Sequence, residues 1–149
     1  MTPRLLIYDR PQTGLEAKFS MPFCAAAAVT FGHPTVEAFD EAHIRDSRVQ
    51  AVMPRVSLRG NPAFDAAAPL SQSTVTMRLR DGRTLSAHAD GARGYPGRLT
   101  AEELGTKFLG CARRSLPVAQ AEAALAAARA LDGAENLRPL MVSCTGQTD

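Results

Sequence analysis

Apolar and polar positions follow two different periods along this chain, with proline- and glycine-rich breaks between them. From Phe23 to Phe31 the sequence is almost continuously apolar and rich in alanine, and Gly32 closes it. That run reads as a buried helix. Ser20 stands where its hydroxyl can accept from free first-turn amides, and Pro22 falls in the turn where a missing N–H costs nothing. The break at Gly32-His33-Pro34 precedes two short helices, one capped by Thr35 and one running from Asp46 to about Met53.

Elsewhere the period is two. Val56 and Leu58 alternate with Ser57 and Arg59 as one strand, whereas the short apolar run Arg4 to Tyr8 reads as a strand buried on both faces. Ala63 to Leu70 reads as a loop. A hairpin follows, in which Val75, Met77 and Leu79 alternate with threonines and arginines before Leu85 and Ala87 do the same. A two-residue Asp81-Gly82 turn would mix the two faces. A three-residue loop, Arg80-Asp81-Gly82, pairs Met77 with Leu85 and Val75 with Ala87, with Gly82 left-handed in a bulge. Arg78 and His88 then lie on a solvated face.

Helical spacing returns at Thr100, which opens a capping box with Glu103. Leu104, Phe108 and Cys111 form the expected inner face of that helix. Pro117 starts another, to about Leu131, with Val118, Ala121, Leu125 and Ala128 as an apolar stripe ended by Asp132-Gly133. The polar tail from Ser143 is expected to be disordered.

Composition narrows the class. A chain of 149 residues with 45% hydrophobic content suits one globular domain, burying roughly two-thirds of its unfolded surface. A formal charge of +2 with scattered arginines disfavours nucleic acid. The longest apolar runs are too short for a membrane span, and no signal-peptide pattern opens the chain, so a cytoplasmic location is expected. Cys24, Cys111 and Cys144 have unrelated spacings, and neither they nor His33 and His43 make a metal set. Cys24 and Cys111 are expected as small buried hydrophobes on helices. The loop Gly91 to Arg98 lacks the lysine and glycine spacing of a phosphate cradle.

The stretch with chemical interest is Arg10 to Cys24. A polar loop carrying Glu16 and Lys18 feeds a helix start, an arrangement that suits an anion. The alternative is that both charges are structural or solvated.

The ordered series Arg10-Pro11, Glu16-Ala17-Lys18-Phe19-Ser20, Pro22-Phe23, Phe39, Asp46 with Val49-Gln50, Val56, Leu79 to Arg83, Leu99 to Leu104 and Lys107-Phe108 resembles the MmgE/PrpD family. That family includes 2-methylcitrate dehydratases and cis-aconitate decarboxylases. The resemblance covers nearly the whole chain and is to the C-terminal part. It implies an α+β fold: a small antiparallel sheet with packed helices and a helical C-terminal segment. The expected division is a lid domain over 1–115, helices over 116–142 that in the family pack on a helical domain, and a tail over 143–149.

In the resembled family a large helical domain and the lid enclose a site for tricarboxylic acids, without a cofactor. Most acid/base groups come from the helical domain and the first turn of the lid, both of which the resemblance places upstream of Met1. Lys18, Ser20 and Phe23 are the substrate-binding positions it implies here. Some members carry a tyrosine at the position of Phe23, so a hydroxyl is missing. The expected reading is a lid that is inactive alone and completes a site with a separate helical domain. A non-catalytic remnant or an oligomerising module, such as a homodimer, stands as the alternative.

Overall fold

A computed structural model of the chain describes residues 5–65 and 72–145. They form two compact units, one ending at Tyr95 and one beginning at Pro96. The class is α+β, with helices and, among the described residues, one antiparallel pair of strands.

The first unit is built on two helices in series, α1 (Gly14–Lys18) and α2 (Met21–Phe31). Ser20 caps α2 through an N–H donated by Phe23 to its Oγ at 3.2 Å, and Pro22 sits in the first turn. Gly32 stops the helix at φ +81°, a conformation open to glycine. The apolar run therefore forms the expected helix, although only one side of it is buried. Phe23, Ala26 and Ala27 face inward at helical spacing, while Val29 is half exposed. Against that face pack α3 (Glu41–Ile44) and α4 (Ser47–Val52), which supply Ile44 and Val49, and Met53 in the 3-10 turn that follows. Burial of a side chain such as Phe23 contributes about 1.5–3 kcal/mol.

Asp46 caps α4 by accepting from the Arg48 amide at 2.8 Å, and the Gln50 side chain donates to the Ile44 carbonyl at 2.6 Å. Thr35 occupies the cap position of the 3-10 turn Val36–Phe39, but its side chain makes no capping bond. Neither α1, which falls in the stretch that reads as a polar loop carrying Glu16 and Lys18, nor α3 has a counterpart in the sequence pattern; the Thr13 cap with Glu16 turns the loop into a helix. Phe64 lies in α5 (Pro62–Asp65), a single turn inside the stretch expected to be loop. The remainder of that stretch, 66–70, lies outside the described residues.

Two expected strands are corrected. Leu6 to Tyr8 and Val56 to Arg59 are irregular, and Leu5 and Ile7 are exposed rather than buried on both faces. A strand needs a partner for its backbone groups, and neither an apolar run nor alternation supplies one. The Tyr8 amide instead donates to the Phe19 carbonyl at 3.3 Å, tying this segment to the end of α1. Arg4 lies outside the described residues.

The hairpin, β1 (Ser73–Arg78) and β2 (Thr84–Ala89), has the expected register: Met77 faces Leu85, and Val75 faces Ala87. Leu79 closes the three-residue loop by donating to the Arg83 carbonyl at 2.8 Å, and Gly82 is left-handed at φ +87°. Its polar face is bonded across the strands, Thr74 to His88 at 3.0 Å and Thr76 to Ser86 at 3.4 Å. On the other face Val75 and Leu85 remain exposed.

In the second unit, α6 (Ala101–Ala112) opens with the full capping box of Thr100 and Glu103. Its inward residues differ from those expected. Gly105 is buried and Phe108, Leu109 and Ala112 are half-buried, whereas Leu104 and Cys111 are exposed. Gly105 faces α7 (Val118–Arg129), and the Arg129 side chain lies over it: a Cβ there would stand 2.5 Å from the guanidinium and 3.5 Å from Leu125. On α7, Ala121 and Ala124 are fully buried, while Val118 is exposed. A further helix, α8 (Arg138–Cys144), packs on α7, so Ser143 and Cys144 are helical.

Candidate functional site

The loop before α1 is organised by its own charges. The Gln12 amide donates to Glu16 Oε2 at 2.7 Å, and the Glu16 amide donates to Thr13 Oγ1 at 3.2 Å. Glu16 is therefore occupied in capping α1, the structural role of the two open to it. Gly14 follows the cap at a close approach: a Cβ there would stand 2.5 Å from the Phe39 carbonyl oxygen. This glycine fixes α1 against the turn Val36–Phe39.

The sequence-implied positions separate by depth. Ser20 and Phe23 are fully buried, Ser20 as the cap and Phe23 as the largest fully buried side chain. Lys18 is exposed at the C-terminal end of α1, where a cation suits the helix dipole. The start of α2 has few donors to offer. Pro22 has no N–H, the Phe23 amide is held by Ser20 Oγ, and the Cys24 amide donates to the Ser20 carbonyl at 3.0 Å.

Phe39 joins the two levels. Its ring centroid lies 5.8 Å from that of Phe23, the planes tilted by 47°, and the Lys18 Nζ lies 6.0 Å from the Phe39 centroid. The run Phe23–Phe39–Lys18 thus leads from the core to the surface. In the sequence Phe39 is only one matching position in an ordered series. Nothing in its local pattern signals a partner at position 18, because that contact is made by folding.

Beside this, Asp9, Arg10, Pro22, Met53, Val56 and Leu58 help line an open groove of about 640 Å³. Cys24 is half-buried, its thiol 3.7 Å from the Ala17 carbonyl, and burial pushes its pKa up. A thiol held protonated in this way is a packing group, not a nucleophile. His33 is exposed; His43 packs edge-on against Phe31 at 5.1 Å. No group of three or more His, Cys, Asp or Glu placed to hold a metal ion occurs among the described residues. No helix among them is long and apolar enough to cross a membrane.

These features define a small α+β domain that presents a lysine beside a capped, buried helix start. The sequence matches the family model for the MmgE/PrpD C-terminal domain over residues 2–133. That span is most of the chain, and the chain belongs to the MmgE/PrpD family through this C-terminal domain. No curated protein matches the sequence.

Proposed function

We propose that this chain is the lid component of an MmgE/PrpD-type lyase site, receiving one carboxylate of a tricarboxylic acid at Lys18. The observation that carries the reading is the placement of Lys18: an exposed cation set beside an aromatic ring, on a helix fixed to the core. Ser20 and Phe23 are fully buried, so in this reading they hold the helix start and the Phe39 ring rather than touch the carboxylate. Phe23 contributes a ring without a hydroxyl, so no proton passes through it. Dehydration or decarboxylation needs a general acid and base near the reacting carbons. In this reading they come from a helical domain, in the same polypeptide or in another. Three free thiols suit a reducing, cytoplasmic setting.

The purified chain, given methylcitrate, citrate or cis-aconitate, is expected to show no turnover above a heat-killed control. Each missing acid/base group typically supplies about 10²-fold to 10⁴-fold. Clear turnover by the chain alone would overturn the assignment of the chemistry to another domain.

An association role is the second reading, favoured by α8 and the residue that precedes it, where Leu137, Met141 and Val142 stand exposed. Such side chains suit a homo-oligomer or the helical domain as the covering surface.

A further inference from the structure

We propose that Phe39 is a positioning residue for Lys18, its ring holding the ammonium where an incoming carboxylate meets it. The proposal rests on the reading of Lys18 as a carboxylate-receiving cation. A lysine on a free surface spreads its charge over many rotamers, and a ligand must select one of them. Here the ammonium lies 6.0 Å from the Phe39 centroid, at the outer range of a cation–π contact.

The ring is itself fixed on two sides. The fully buried Phe23 packs against it at 5.8 Å, and Gly14 admits the Phe39 carbonyl so closely that no Cβ fits between. The turn that carries Phe39 is closed by the Asp40 amide donating to the Glu37 carbonyl at 3.0 Å, and Ala38 within it is buried. The helix bearing Lys18 and the ring receiving it are thereby docked together through Gly14. Phe39 transmits the rigidity of the core to a surface charge without touching the ligand itself.

The test uses Phe39→Leu and Phe39→Tyr in the full chain, with citrate as the probe. Lys18 and Lys107 are the only lysines, so their side-chain resonances are readily told apart. In the wild type the Lys18 Hε protons should lie upfield of those of Lys107, through the ring current of Phe39. Phe39→Leu should remove that displacement and weaken citrate binding about two- to fivefold, the scale of an exposed cation–π contact. Phe39→Tyr should keep both. Amide shifts of Val49 and Met53 that keep their folded dispersion would report that the core of each variant is intact. Lys18 Hε shifts that coincide in the wild type and Phe39→Leu would overturn the proposal, as would unchanged citrate affinity. A wild type that takes up no citrate, but loses the Hε displacement on Phe39→Leu, would sink the carboxylate reading and uphold the placement of Lys18 by Phe39.

Discussion

Two glycines show how the same distance carries opposite consequences at the scale of one residue. A Cβ on Gly14 would meet the Phe39 carbonyl at 2.5 Å, and a Cβ on Gly105 would meet the Arg129 guanidinium at 2.5 Å. The first obstacle is backbone and cannot move without shifting the turn. The second is the end of a flexible side chain. Gly14→Ala should therefore destabilise the chain by about 1–3 kcal/mol, the usual cost of overpacking. Gly105→Ala should be neutral or stabilising by up to about 1 kcal/mol, because alanine favours the helix and Arg129 can swing aside. Urea midpoints for the two variants check both. Equal midpoints for Gly14→Ala and wild type would contradict the close approach.

Asp46 gives a pH signature at the same scale. The Arg48 side chain, and then its amide, donate to this carboxylate and hold its pKa down to about 2. The unfolded value is about 3.9. Because the folded value is the lower one, the stabilisation is present above about pH 4 and is lost as pH falls toward 2. Asp46→Asn, which keeps a capping oxygen, should be less stable than wild type at neutral pH and converge with it near pH 2. Urea unfolding across that window checks the convergence, and a constant gap would contradict it.

At the scale of elements, features that act locally are legible in the sequence. Ser20, Asp46 and Thr100 each satisfy amides within three residues, so type and spacing suffice to place the caps. The hairpin register is legible because only a three-residue loop keeps Met77 and Leu85 on one face. Elements that depend on distant partners are not legible. Leu6 to Tyr8, part of a short apolar run, and Val56 to Arg59, which alternates, read as strands but meet no partner strand among the described residues. The inward face of α6 turns on Gly105, a residue that reads as a weak point until α7 is seen against it. The candidate site divides the same way. The capping Ser20 can be read from the loop-to-helix pattern, whereas Lys18, expected on the loop, ends helix α1, and its Phe39 contact comes only with the fold.

At the scale of the whole molecule, Leu137, Met141 and Val142 stand exposed, and the proposed association role would cover them. Without a helical domain present, the purified chain is expected to form a dimer or higher oligomer. Light scattering over a range of concentrations checks this, and a constant monomer mass would count against it. The central claim, however, is that Lys18 receives a carboxylate, and a citrate titration followed by amide and lysine side-chain shifts tests it most directly. The account predicts saturable shifts centred on Lys18 at the end of α1, with a dissociation constant on the order of millimolar, or roughly 4 kcal/mol. Added salt should weaken the binding, because screening acts on an exposed charge. Lys18→Ala should abolish it, and Arg78→Ala, on the exposed hairpin, should leave it intact. Shifts confined to the hairpin arginines, or binding that survives Lys18→Ala, would contradict the account and leave Lys18 a structural charge.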